Sequence, residues 1–209
     1  MAITETVHVV DDDAAVRDSL RVLLESAGFS VRTHNTAAAF LATAPGLGGC
    51  VLTDVRMPEI DGLELQQRMS ERGAPLPVIV MTGHGDIPMA VRAMRAGAVD
   101  FLEKPFDEAR LFDAVRRALE RSKERQTAES AATAAAVRLA MLTPREREVF
   151  NCLVDGRSTK AIARELGTSP RTIEVQRARV FEKLQAHSLP ELVHLALAAG
   201  SKDTPRNQA

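Results

Sequence analysis

The sequence predicts an α/β fold: a (βα)5 doubly wound parallel sheet, then a helical linker and an all-α four-helix unit. Three observations carry this. Over the first ~105 residues, short apolar runs alternate with amphipathic patterns, which implies a parallel sheet covered on both faces. From Leu142 onward the apolar spacing is helical throughout. Charge divides in the same way. Residues 1–125 hold 19 acidic and 15 basic side chains, a net of −4, whereas residues 126–209 hold 9 and 12, a net of +3. An acidic half joined to a basic half hints at nucleic-acid binding by the second half only.

The apolar runs fall at residues 7–10, 29–32, 50–53, 78–81 and 99–102. Between the first two, Val16, Leu20, Leu23, Leu24 and Ala27 share one side of a helix. A later helix starts near Asp107 and runs through Leu111, Val115, Ala118 and Leu119. Residues 126–137 are Ala-rich without Gly or Pro, so this helix is expected to continue past Glu120 into the linker, with a break near Thr133. Thr143-Pro144-Arg145-Glu146 then reads as N-cap, N1 proline and capping-box acid. Asp155-Gly156 ends that helix. Ser158 or its neighbour opens a second, which stops at Leu166-Gly167. Ser169-Pro170 opens a third, to about Gln185, and Ser188-Leu189-Pro190-Glu191 a fourth, ending at Gly200. The expected division is a sheet domain over 4–122, a helical linker over 123–138, a helical domain over 139–200 and a disordered tail over 201–209.

Composition narrows the function classes. Hydrophobic residues make up 45% of the chain, enough for two cores, but aromatics only 3%, with no Trp or Tyr. Stacking platforms for single-stranded nucleic acid are therefore not expected. Cys50 and Cys152 lie in apolar contexts in different domains and are expected to be reduced, as in the cytoplasm. No Cys/His spacing resembles a zinc site, no signal peptide precedes the first strand, and no apolar stretch approaches the ~20 residues of a membrane span.

In a doubly wound fold the crevice lies beyond the carboxyl ends of the strands. Here those ends carry Asp11, Asp12 and Asp13, then Asp54, Thr82 and Lys104. Clustered carboxylates repel and call for a hard cation such as Mg²⁺ (or Mn²⁺), which takes one or two carboxylates and a phosphate oxygen. One carboxylate can then attack phosphorus and become an aspartyl phosphate. A lysine ammonium and a threonine hydroxyl suit the remaining phosphoryl oxygens.

The set Val10-Asp11-Asp12-Asp13, Asp54-Val55-Arg56-Met57-Pro58 with Gly62, Thr82 and Lys104-Pro105-Phe106 resembles the receiver domain of response regulators. The resemblance implies that Asp54 accepts phosphate from a histidine kinase. It implies a metal held by Asp11, Asp12, Asp54 and the backbone carbonyl of Arg56. Asp13 is left to start the first helix, where a carboxylate suits the dipole. Lys104-Pro105 resembles the family's cis-proline turn, and Thr82 and Phe101 its switch pair. Arg56 and His84 flank the phosphoryl site and are expected to tune its hydrolysis.

In the basic half, helix, Gly-containing turn and second helix form a helix-turn-helix over residues 159–185. Ile162, Ala163, Leu166, Ile173, Val180, Phe181 and Leu184 are expected to pack. Residues 171, 172 and 174–179 are left to solvent or DNA. Leu142-Thr143-Pro144-Arg145-Glu146-Arg147-Glu148-Val149, Lys160-Ala161-Ile162-Ala163, Ser169-Pro170-Arg171-Thr172-Ile173-Glu174-Val175-Gln176 and Lys183-Leu184 resemble the LuxR/NarL-type DNA-binding domain. By position, Glu174, Val175 and Ala178 would face bases. Lys160, Arg171 and Thr172, and with them Arg177, Arg179 and Lys183, would lie near phosphates. Gln176 stands where the family often has His, which leaves its role open.

With Thr82-Gly83-His84-Gly85-Asp86-Ile87-Pro88-Met89-Ala90-Val91, Gly97-Ala98-Val99-Asp100-Phe101 and Ser188-Leu189-Pro190-Glu191-Leu192-Val193, the two halves together resemble the FixJ branch of response regulators, which implies an oxygen-sensing kinase, FixL, and nitrogen-fixation promoters. The implied mechanism is a two-state switch. Phosphorylation rearranges Thr82 and Phe101, and the face carrying Ile87, Val91, Met94 and Phe101 makes a homodimer. Two recognition helices then reach half-sites on double-stranded promoter DNA, with RNA polymerase as the further partner. Turnover catalysis is not expected. An Asp-nucleophile phosphotransferase or phosphatase, which needs a second acid where Arg56 stands, is one rival; an interaction protein whose basic helices bind another protein is a second; the same architecture serving another regulon, such as nodulation or dicarboxylate control, is a third.

Overall fold

The computed structural model describes residues 6–44, 47–73, 76–83 and 87–200. The chain forms two compact units, Met1–Arg125 and Gln126–Ala209.

The first unit is a five-stranded parallel sheet in the order β2-β1-β3-β4-β5. Its elements alternate: β1 (Thr6–Val10), α1 (Ala14–Ser26), β2 (Ser30–His34), α2 (Ala37–Thr43), β3 (Cys50–Asp54), α3 (Gly62–Glu71), β4 (Val78–Thr82), α4 (Ile87–Arg95), β5 (Asp100–Glu103) and α5 (Glu108–Ala140). Successive strand residues point to opposite faces, and each face has its own core. Val7, Val9, Cys50, Leu52, Ile79, Met81 and Leu102 meet Leu20 and Leu24 of α1 and Leu111, Val115 and Leu119 of α5. Val10, Val51, Val78 and Val80 meet Phe40 of α2, Leu65 and Met69 of α3 and Ala93 of α4.

Strand limits differ from the apolar runs at two places that matter. β3 and β4 run one residue further, to Asp54 and Thr82, because the ladder continues past the apolar side chains. β2 continues to His34 instead of stopping at Arg32. It is an edge strand whose polar, half-exposed residues carry no apolar signal.

The break expected near Thr133 is absent. α5 is continuous to Ala140, and the Thr133 hydroxyl donates to the Glu129 carbonyl within the helix. The alanines favour this and nothing nearby opposes it. Ala135, placed by sequence in the linker, is a core residue of the second unit, as is Leu139, the first residue of the expected helical domain.

That unit adds α6 (Pro144–Val154), α7 (Thr159–Glu165), α8 (Pro170–Lys183) and α9 (Leu189–Ala198). Thr143 and Glu146 form the expected capping box. Val149, Phe150, Ile162, Ile173, Val180, Leu184 and Leu192 fill the core. Both cysteines are free and buried. No helix among the described residues is long and apolar enough to cross a membrane. The expected tail over 201–209 and His84 lie outside the described residues.

Candidate phosphoacceptor crevice and nucleic-acid interface

The strand ends of the first unit bring Asp11, Asp54, Thr82 and Lys104 to one edge of the sheet. Asp11, Asp54 and Thr82 are 2%, 9% and 1% exposed, so their polar groups need partners inside the protein. Lys104 supplies two. Its Nζ donates to Asp54 Oδ1 at 2.7 Å and to Asp11 Oδ2 at 3.1 Å. Burial works against the ammonium, but hydrogen bonds and charge from Asp54, then Asp11, outweigh it and raise its pKa. The other carboxylate oxygens accept backbone N–H groups: Asp54 Oδ2 from Arg56 at 2.7 Å, and Asp11 Oδ1 from Asp13 at 2.9 Å.

The backbone aims these side chains. Lys104 N donates to the Thr82 carbonyl at 2.7 Å, and the Lys104–Pro105 peptide is cis, as expected. Gly62 N donates to the Val55 carbonyl at 3.0 Å, folding the loop after β3 back over the strand end. A Cβ on Gly62 would lie 2.3 Å from the Asp54 carbonyl oxygen, so only glycine permits this approach. Asp13 caps α1, accepting from Ala15 N and Val16 N.

In the second unit, α7, a turn and α8 form the helix-turn-helix. Gly167, at φ 61°, turns the chain, and the Ser169 hydroxyl accepts from Thr172 N at 3.1 Å to start α8. Ile173 and Val180 bury the inner side of α8. Arg171, Thr172, Glu174, Val175, Arg177, Ala178 and Arg179 are exposed on it, as is Lys160 on α7. Among the described residues, Lys160, Arg171 and Arg179 make no ion pair, so their charge is open to an anion. Arg177 lies over the Phe181 ring, 5.5 Å from its centroid, which orients the guanidinium.

A response regulator receiver domain pattern matches residues 7–116, and the pattern of bacterial regulatory proteins of the luxR family matches residues 140–196. The chain belongs to the response regulators with a LuxR-type output domain. It is similar to the transcriptional regulatory protein FixJ of Azorhizobium caulinodans, 57% identical over 93% of this chain and 92% of that protein. FixJ of Bradyrhizobium diazoefficiens is 54% identical over 93% of this chain and 95% of its own. Among solved structures, the response regulator StyR has a TM-score of 0.81 and 43% identity, covering 93% of this chain and 98% of its own.

Asp12, Lys183 and Gln176 stand otherwise than their place in the motifs suggests. Asp12 is exposed rather than gathered with Asp11 and Asp54, and among the described residues no three metal-binding side chains stand together. Asp11 and Asp54, both reached by one ammonium, still make a two-carboxylate seat of the kind Mg²⁺ accepts. Lys183 is not free for a phosphate: its Nζ donates to Glu146 Oε2 at 2.6 Å. Gln176 is half-buried and its Oε1 is shielded without a partner, because its position between Ile173 and Val180 turns it inward. Phe101 is half-exposed and packs against the α2–α4 side of the receiver core, while Ile87, Val91 and Met94 are 81%, 42% and 48% exposed on α4. Arg56 is exposed at the rim.

Two contributors escaped the sequence reading. Arg17 donates to the Asp11 carbonyl at 2.7 Å, fixing the triplet from α1. Glu146 figured only as a cap; its spacing from Lys183, 37 residues, carries no local signal.

Proposed function

We propose that Asp54 is the phosphoryl acceptor, that a FixL-type oxygen-sensing histidine kinase is the donor, and that the phosphorylated chain dimerises on nitrogen-fixation promoters. The observation that carries the acceptor role is the double engagement of Lys104 with Asp54 and Asp11 at the sheet edge. It sets the Asp54 carboxylate against an ammonium at the end of β3, where the same cation can meet the oxygens of a phosphoryl group carried on Asp54. An Asp54 oxygen attacks phosphorus, the phosphorus–nitrogen bond of the donor breaks, and the electron pair leaves on imidazole. Lys104 then pairs with the new phosphoryl oxygens, and Thr82, at the end of β4, donates its hydroxyl to another. Asp11, Asp54 and the Arg56 carbonyl are the groups that would hold Mg²⁺ or Mn²⁺, with Asp12 at the rim; the ion supplies charge neutralisation during transfer.

The new dianion, about −1.5 to −2 in charge, biases Thr82 and Phe101 toward the active state. Ile87, Val91 and Met94 sit at i, i+4 and i+7 on α4 and form the apolar face for a second copy. The dimer offers two α8 helices to adjacent major grooves, where Glu174, Val175 and Ala178 meet bases and the free cations meet phosphates. RNA polymerase is the downstream partner. The chain works in the cytoplasm as a switch carrying one phosphoryl group, without turnover. Arg56, two positions after Asp54, stands where a phosphatase of the Asp-nucleophile class needs an acid.

The test is molar mass by light scattering with Mg²⁺ and acetyl phosphate. Wild type is expected to pass from monomer to dimer, while Asp54→Asn and Ile87→Lys remain monomers. A wild type confirmed as phosphorylated that stays monomeric would remove the dimerisation step.

A further inference from the structure

Three consecutive residues in the first turn of α6 each reach a different element of the output domain. Arg145 Nη2 donates to the Leu166 carbonyl at the end of α7, at 2.6 Å. Glu146 accepts from Lys183 at the end of α8, at 2.6 Å. Arg147 Nη1 donates to the Leu139 carbonyl near the end of α5, at 3.0 Å. A further tie closes the ring: Arg138 of α5 donates to the carbonyl of Leu184, the C-cap of α8. Glu146 is only 5% exposed, and its Oε2 also accepts from Thr143 N at 2.8 Å. The Lys183 ammonium and then the Thr143 N–H pull its carboxyl down to about 2, so it stays charged through the neutral range.

We propose that Glu146 and Arg138 are positioning residues for the recognition helix: the Glu146–Lys183 ion pair and the Arg138–Leu184 hydrogen bond pin the end of α8 to α6 and to the last turns of α5. This proposal rests on the DNA-binding reading above. The physical reason is leverage. Ile173 and Val180 are the fully buried residues within α8, with Phe181 packed at the margin and Leu184 buried at the C-cap, so the core holds the helix along one side only. A tie at its C-terminal end fixes the angle at which its N-terminal half enters a groove. Lys183, expected from sequence to neutralise a phosphate, is instead the α8 end of that tie.

The two roles of Lys183 differ in sign, which makes them separable. Glu146→Gln keeps the capping-box hydrogen bonds and removes only the charge. The probe is the duplex that full-length wild type, with Mg²⁺ and acetyl phosphate, enriches from a randomised pool; a scrambled duplex of equal length is the control. The positioning role predicts that E146Q loses affinity for the selected duplex by about tenfold, with the scrambled duplex and the salt slope unchanged. Should E146Q prove unfolded by circular dichroism, Arg138→Ala carries the same prediction with the α6 cap intact. Equal or tighter binding by E146Q, with a salt slope steeper by about one, means that the freed Lys183 meets a phosphate, and overturns the proposal. A wild type that enriches no sequence at all refutes the DNA-binding reading, and the positioning roles fall with it.

Discussion

In the receiver crevice, Asp11, Asp54 and Lys104 are drawn together, shielded, and satisfied by one another and by backbone N–H groups. On the outer side of α8 and on α7, Arg171, Arg179 and Lys160 are exposed and without an ion-pair partner among the described residues. The first arrangement suits the chemistry proposed for it, with fixed charges held at short range around one carboxylate oxygen. The second does recognition: separated charges in solvent contribute range and salt sensitivity but leave specificity to the uncharged residues among them. The same residue types thus perform different work according to whether the fold has paired them.

That contrast can be broken from the crevice side first. Asp54→Asn is expected to abolish phosphoryl incorporation from acetyl phosphate, read by mobility on a phosphate-affinity gel; residual labelling at another residue would show that the crevice does not select its nucleophile. Lys104→Ala comes next, with incorporation slowed by on the order of a hundredfold, the effect of removing one preorganised donor. An unchanged rate would reduce the ion pair to a structural tie.

Much of the crevice was legible in the sequence because each member follows an apolar run, and in a parallel sheet every such run ends at the same edge. Asp54, Thr82 and Lys104 needed only that rule and the resemblance of their neighbours. Asp12 was grouped with Asp11 on the resemblance, in which the acid pair falls on the first two positions of the triplet, and that pattern does not show that its side chain stands exposed. On α8, helical spacing identified the buried side. It could not show that Gln176 at its margin is shielded, or that Lys183 is held by Glu146 from another helix. Such departures come from tertiary contacts between residues far apart in sequence. β2 was cut short for a related reason: a polar edge strand is defined by its ladder, which composition does not report.

The output side gives smaller effects. Arg171→Ala is expected to weaken binding several-fold on any duplex and to lower the salt slope by about one. Val175→Ala should instead change which duplex is preferred, with the slope unaltered. If both substitutions shifted only the slope, the division between positioning and reading on α8 would fail.

The smallest effect concerns a buried group belonging to neither site. His8, on β1, lies between the Gly48 carbonyl and His34, each at 3.3 Å, and against Phe40. Burial, with the Gly48 hydrogen bond partly opposing it and the charges of His34 and Arg32 adding to it, lowers its pKa from 6.5 to about 4. The unfolded chain therefore binds a proton that the native state refuses. The contribution of this group to stability is full above pH 6.5 and is lost as pH falls toward 4. Thermal melts of wild type and His8→Leu should show this slope flattened in the variant. Parallel curves would mean that other groups set the acid limit.

The central claim is that the state of Asp54 controls what α8 does. The direct measurement is the affinity of the full-length chain for its selected duplex, with Mg²⁺ and with or without acetyl phosphate, for wild type and Asp54→Asn. A gain in affinity confined to phosphorylated wild type is the predicted result. Equal affinity of phosphorylated and unphosphorylated wild type would contradict it and leave the receiver without control of DNA binding.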